Sequence, residues 1–398
     1  MQNRIALERQ LPHGLSDLFF AVAARRVRLE TLLAGTFSRW GYTRIIPPVF
    51  EYYENIAAEA GPQLREELYR FVDREGRTRA LRADVTMPIA RLVATKLYDL
   101  PLPLRFFYSG SVFRHEEPRA GRRHEFTQSG IELIGARTAA ADAEVIALAI
   151  EALRAMGLND FRLNIGQAAY FKALIAGLPL SGEQVVQLKE AIERRAGAQL
   201  ARILQPLPID PERKQILQRL PVWRHSPRWL EDARSLCIDS PTHAAIDDLQ
   251  AVMARLEADG YAESLSVDLA ELRGMEYYTG IVFRAFMPGI GYPIVSGGRY
   301  DELIGHFGKE LPAIGFALEI ERVMMGLVEP DESLAPDVVA EACGHPECTR
   351  RIAEARAAGE SVLVDVLGRR GAALRDYAAS LNAGRVLPCT RKVISCAG

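Results

Sequence analysis

A chain of 398 residues with a net charge of −2 and a pI near 6.4 has room for two or three domains and a sizeable core, and its charge balance excludes a protein that holds nucleic acid by bulk electrostatics. Hydrophobic residues at 48% and charged residues at 25% describe an ordinary globular composition, without any run of 18 apolar residues to cross a membrane. The opening MQNRIALERQ has no apolar signal segment, and an odd set of five cysteines fits a reducing compartment, so the expected location is the cytoplasm with no membrane association.

Ser16 and Asp17 can cap a helix running to Trp40, with Leu29, Leu33, Thr36, Phe37 and Trp40 on one face and Gly41 ending it. Tyr42–Ile46 reads as a short strand stopped by Pro47 and Pro48. Leu68–Val72 and Thr78–Leu81 form a hairpin about Asp73–Arg77. A helix then runs from Met87 to Tyr98, with Ile89, Ala90, Val93 and Leu97 facing inward. Asp84 and Thr86 stand where strand passes into helix, a place for capping and for ligand contact alike.

The central stretch, Leu104–Gly135, holds two β-rich runs around the charged loop containing Glu116, Glu117, Pro118, Arg119, Gly121, Arg122 and Arg123. On the second run Gln128, Gly130 and Glu132 are spaced by two and share a face, a floor for a small polar ligand. Phe126, Ile131 and Leu133 are assigned to the opposite, apolar face. Asp142 opens a helix striped by Val145, Leu148, Ala149, Ala152, Leu153 and Met156, and Phe161–Ile165 alternates as a strand. From about 167 to 260 the composition turns helical, an insertion whose His225 and His243 read as surface residues.

Strands resume at Leu265–Leu269. In L-R-G-M-E-Y-Y-T-G-I-V-F the adjacent Tyr277 and Tyr278 should face opposite ways, one lining a pocket and one packing. S-G-G-R-Y-D reads as a glycine turn carrying Arg299 and Asp301, and Ala313–Ile320 as a strand. Residues 330–398 form a small unit with strands at Ser361–Leu367 and Arg385–Leu387, a helix about Ala372–Leu381, and no clear basic face. Cys343, His345, Cys348, Cys389 and Cys396 are too loosely spaced for a metal motif, so scattered reduced thiols are expected, with no metal and no cofactor.

Four segments in order carry a resemblance. F-R-H-E-E-P-R-A-G-R-R-H-E-F-T-Q-S-G-I-E resembles the second class II synthetase motif in its histidyl-tRNA synthetase form, and L-R-G-M-E-Y-Y-T-G-I-V-F resembles the histidine-recognition segment. G-G-R-Y-D with G-F-A-L-E-I-E-R resembles the glycine-rich segment and third motif, and G-Y-T-R-I-I-P-P the first, dimer-forming motif. The resemblance covers about residues 10–325. It implies an α+β class II aminoacyl-tRNA synthetase-like fold: a mixed, mainly antiparallel sheet flanked by helices over 1–325, with the insertion at about 167–260, then a small α/β domain over 326–398. It also implies a histidine-binding set of Asp84, Thr86, Arg114, Gln128, Glu132, Arg273, Tyr277 and Tyr278. Asp84, Thr86 and Gln128 would meet the α-amino group, Glu132 and Tyr278 the imidazole, and Arg273 the carboxylate. Asp84 stands where the synthetase has Glu, one methylene longer.

The departures fall on the nucleotide side. His124 and Glu125 replace an expected Arg-Gln, Glu117 replaces an arginine, and Glu319 replaces a glycine of the third motif. Carboxylates there oppose a triphosphate, and Arg114 and Arg322 are expected to pair with the new acids. Of the family's two branches, this pattern resembles the regulatory subunit of ATP phosphoribosyltransferase rather than the synthetase. That branch implies a non-catalytic, histidine-binding chain that dimerises and joins a short-form catalytic subunit in a hetero-octamer to control histidine biosynthesis, with no nucleic acid. A divergent histidyl-tRNA synthetase is the alternative, and a stand-alone histidine-sensing or tRNA-binding domain the third reading.

Overall fold

The structure, a computed structural model, describes residues 10–57, 61–115, 123–272, 277–327 and 335–389. Two compact units divide the chain between 329 and 330, with Phe19–Ala24 grouped with the second.

α1 (Phe20–Arg39), which belongs to the first unit from Arg25 onward, buries Leu29, Leu33, Thr36 and Phe37 as the periodicity predicts. It starts at Phe20, whose φ of 52° is left-handed, and so beyond the reach of the Ser16–Asp17 cap. β1 (Thr43–Arg44), β2 (Phe50–Tyr52), α2 (Tyr53–Ala57), α3 (Pro62–Glu67), β3 (Arg70–Val72) and β4 (Thr78–Leu81) follow, and β2, β4 and β3 form a small antiparallel sheet. α4 (Thr86–Leu92) continues into a π-helical turn over Val93–Leu97.

β5 (Leu104–Phe113) and β6 (Glu125–Ile134) are the expected antiparallel pair. α5 (Ala139–Ala155), capped by Thr138, begins three residues before the expected Asp142 and buries Val145, Leu148, Ala149, Ala152 and Leu153. β7 (Arg162–Gln167) is followed by six helices, α6 (Ala168–Ile175), α7 (Gly182–Glu193), α8 (Gly197–Leu204), α9 (Pro211–Arg219), α10 (Trp229–Arg234) and α11 (Ser240–Ala258). His225 is exposed, yet its Nδ1 accepts from the Val267 N–H at 3.2 Å; His243 is exposed.

β8 (Leu265–Val267), β9 (Ile281–Phe286), β10 (Val295–Arg299) and β11 (Ala313–Glu319) complete an eight-stranded sheet in the order β1-β5-β6-β11-β10-β9-β7-β8, and α12 (Ile320–Gly326) follows β11. The expected glycine turn at Ser296–Arg299 is instead strand. Its backbone groups pair with β9 on one side and β11 on the other, which outweighs the turn preference of two glycines.

Alternation along the central strands sorts side chains between two cores. Ile131 and Leu133 of β6 and Phe107 of β5 join the large core made with α1, α5 and the inserted helices. Phe126 and Ile134 of β6 and Tyr108 and Val112 of β5 join a second core with α4. Phe126 therefore shares the face of Gln128 and Glu132, a correction that the period of two itself demands. Each fully buried Leu, Ile or Val in these cores contributes about 1.5–3 kcal/mol.

The second unit has a parallel three-stranded sheet, β13 (Val362–Asp365) beside β12 (Val338–Glu341) beside β14 (Arg385–Leu387). α13 (Pro346–Ala357) and α14 (Gly371–Ser380) connect the strands. Its buried apolar clusters are small: Val338, Ala340 and Leu387 in one, Val339, Leu374 and Ala378 in the other.

Candidate functional site

The site is built where the segment entering α4 docks on the middle of β6. The backbone N–H of Val85 donates to Gln128 Oε1 at 3.0 Å, and the Thr86 hydroxyl donates to Glu132 Oε1 at 2.8 Å. The Asp84 carboxylate accepts from the Met87 N–H at 3.1 Å, so Asp84 satisfies one orphan donor of α4 while Thr86 turns to β6. From the other side the Tyr300 hydroxyl donates to Glu132 Oε2. The sequence reading missed Tyr300, although G-G-R-Y-D contains it.

Glycines make the close approach possible. Register sets Gly130 of β6 opposite Tyr108 of β5, and Gly315 of β11 opposite Glu132 of β6. A Cβ at Gly315 would lie 1.8 Å from Glu132 Oε2, and one at Gly130 would lie 2.1 Å from the Phe316 carbonyl and 2.7 Å from the Tyr108 hydroxyl. That hydroxyl is buried and makes no hydrogen bond among the described residues, a polar handle in the wall of the site.

Glu132 is 1% exposed. Burial pushes its carboxyl up to about 8; the Tyr300 and Thr86 hydroxyls pull down and nearby Asp84 adds repulsion. Burial also raises Asp84, against the Met87 N–H and the Arg114 charge. The same burial keeps the hydroxyls of Tyr108, Tyr277, Tyr278 and Tyr300 protonated. Two carboxyls and an amide thus line one wall as groups that take N–H donors.

The tyrosine pair differs from expectation. Tyr277 and Tyr278 precede β9 rather than lying in it, so strand alternation does not apply. Both pack into the second core, their rings 5.3 Å apart, with Tyr277 5.6 Å from Tyr300. The structure brings Asp84, Thr86, Gln128, Glu132, Tyr277 and Tyr278 together in this core region, while Arg273, like Glu117, lies outside the described residues. Arg299 and Asp301 do not reach the site: Arg299 pairs with buried Asp142 at 2.5 Å and with Asp301 at 2.8 Å.

Where the sequence places a departed nucleotide motif, Arg322 Nε lies 2.7 Å from Glu319 Oε2, the expected pairing. Its guanidinium also donates to the Pro293 carbonyl at 3.1 Å and sits 5.4 Å from the Tyr292 ring centroid. Arg114 donates to the Ala83 carbonyl at 2.9 Å and stacks 5.3 Å from the Phe126 ring; Glu117, one of the acids it is expected to meet, lies outside the described residues. Glu321 accepts from both the Thr127 N–H at 2.8 Å and the Thr127 hydroxyl at 3.0 Å, fixing the start of α12 to β6. His124 is buried, bonded through Nδ1 to the Tyr69 hydroxyl at 2.6 Å and 4.9 Å from the His115 ring.

In the second unit the expectation of scattered thiols gives way. The sulfurs of Cys343, Cys348 and Cys389 all lie within 4.8 Å of one another, because β12 and β14 are neighbours and end at the start of α13. Cys396 lies outside the described residues.

A family model described as histidyl-tRNA synthetase matches residues 14–323. An ATP phosphoribosyltransferase regulatory subunit of Moorella thermoacetica is 42% identical over 94% of this chain and 97% of its own length. One of the same name from Symbiobacterium thermophilum is 40% identical over 95% of this chain and 96% of its own. A solved structure from Bacillus halodurans C, titled ATP phosphoribosyltransferase regulatory subunit/histidyl-tRNA synthetase, superposes with a TM-score of 0.85 at 30% identity, covering 96% of this chain and 98% of that one.

Proposed function

Since the chain belongs to the ATP phosphoribosyltransferase regulatory subunit family, on a class II synthetase-like fold and without catalysis of its own, we propose that it binds L-histidine on the β6 floor and thereby controls a separate short-form catalytic subunit. The observation that carries this reading is the contrast within one cleft. Glu132, Thr86, Gln128 and Asp84 form a buried wall suited to an imidazole and an ammonium group, while Glu319 occupies Arg322 where a triphosphate would need it.

Asp84, Thr86 and Gln128 take the α-amino end, Glu132 accepts from the imidazole N–H, and Tyr277 and Tyr278 wall the ring. Arg273 is assigned to the carboxylate, and Arg114 braces the Ala83 turn beneath the ligand. The chain dimerises through α1 and β1 and joins the catalytic subunit in a hetero-octamer. Control follows by linkage: histidine favours whichever assembly state binds it better, and that state binds histidine more tightly in return.

The test mixes the full chain with a short-form catalytic subunit and assays phosphoribosyl transfer with and without histidine. Activity that needs this chain and falls with histidine supports the proposal. Robust ATP–pyrophosphate exchange by the chain alone, dependent on histidine, overturns it in favour of a divergent histidyl-tRNA synthetase.

A further inference from the structure

We propose that Cys343, Cys348 and Cys389 bind a zinc ion that fastens the carboxyl ends of β12 and β14 to the start of α13. Three observations converge on this site. First, tetrahedral zinc with Zn–S bonds of about 2.3 Å holds its sulfurs about 3.8 Å apart. The Cys348 and Cys389 sulfurs are 3.8 Å apart, and the third lies within 4.8 Å of both. Closing the set therefore needs movement of no more than about 1 Å by Cys343, which lies in the loop after β12 next to Gly344, a residue with φ of 67°.

Second, the sulfurs come from three separate places: the loop leaving β12, the first turn of α13 and the residues following β14. The carboxyl edge of a parallel sheet is where open α/β sheets place ligands. The first turn of the 12-residue α13 meets that edge and carries Cys348 to the other two sulfurs. His345 is not a ligand: its Nδ1 accepts the Glu347 N–H at 3.3 Å and shapes the turn that carries Cys348 inward.

Third, the surroundings hold the ligands in place. Glu341, buried at the end of β12, accepts the Cys389 N–H at 3.2 Å through one oxygen and meets Arg370 at 3.4 Å through the other. Metal sites are oriented by such outer partners. Soft thiolates select zinc over the hard cations, and three of them leave a fourth tetrahedral position for water.

The physical need is plain in the core of this unit. Its apolar clusters are small, and small units with little core are commonly fastened by a metal or a disulfide. The sulfur–sulfur distance of 3.8 Å is far beyond the roughly 2.05 Å of a disulfide, and a metal needs no such closure.

The experiment measures metal in the full chain purified under reducing conditions without chelator. About one zinc per chain is expected by mass-spectrometric elemental analysis. Cys348→Ser and Cys389→Ser should each lose it, while Cys237→Ser, a thiol bonded to the Ala233 and Thr242 carbonyls in the first unit, should keep it. Glu341→Gln, a positioning change, should weaken zinc about tenfold. Should the serine variants fail to fold, the unaltered chain stripped by chelator and titrated with cobalt(II) gives the same answer through a thiolate-to-cobalt charge-transfer band. A stripped chain that takes up neither metal overturns the proposal, and so does zinc retained in both serine variants or a Cys348–Cys389 disulfide found in the reduced preparation.

Discussion

The two walls of the cleft treat their acids in opposite ways. On β6, Glu132 is held by two hydroxyls, and burial pushes its carboxyl up to about 8. At the end of β11, Glu319 is half-exposed and charge-paired with Arg322. An acid kept neutral by burial is primed to ionise when a ligand brings N–H donors or positive charge, whereas an arginine already paired with an acid has its charge spent and offers little to an anion. On the proposed reading one wall is a receptor and the other a plug, although both are lined by carboxyls.

The sharpest way to break this contrast is at Gly315. An alanine there meets the Glu132 carboxylate at 1.8 Å, so Gly315→Ala should abolish histidine binding by calorimetry and lower the melting temperature together. Next, Glu132→Gln keeps the shape but removes the acid. Histidine affinity should fall about 30-fold, some 2 kcal/mol for a hydrogen bond to a charged group, with circular dichroism unchanged.

The pH dependence sharpens it further. The folded value of Glu132, about 8, stands above its usual 4.5. The stability it contributes is complete below about 4.5 and is lost as pH rises through about 8, at about 1.4 kcal/mol per pH unit between those values. Histidine binding runs the other way. It should tighten from pH 6 to 8 by up to about tenfold per unit, because the complex holds the ionised carboxylate. Glu132→Gln should flatten both curves in pH-resolved melts and calorimetry.

Smaller effects test the plug and the wall. Glu319→Gly should raise ATP affinity only a few-fold, about 1 kcal/mol, the size of a partly exposed ion pair, as read by equilibrium dialysis. ATP bound equally well before and after the change would break the contrast. Tyr108→Phe should leave stability unchanged or slightly raised, since it removes an unsatisfied hydroxyl, and weaken histidine about threefold.

What could be read in advance follows from how local the information is. The shared face of Gln128, Gly130 and Glu132 follows from a period of two, and the α1 and α5 stripes follow from a period of 3.6. Tyr108 and Tyr300 were missed because only strand register sets Tyr108 against Gly130, and only the sheet order brings the residue after β10 to β6. The thiol cluster was missed for a similar reason. Val338–Glu341 is a short apolar run with no alternation, and until it is seen as the central strand, Cys343 and Cys389 have no cause to meet.

Arg322 is held by three neighbours at once: the Glu319 carboxylate, the Pro293 carbonyl and the Tyr292 ring. Replacing Glu319 by glycine leaves the guanidinium anchored by the other two. Freeing that charge for an anion therefore takes several substitutions together, and no single one of them opens the position.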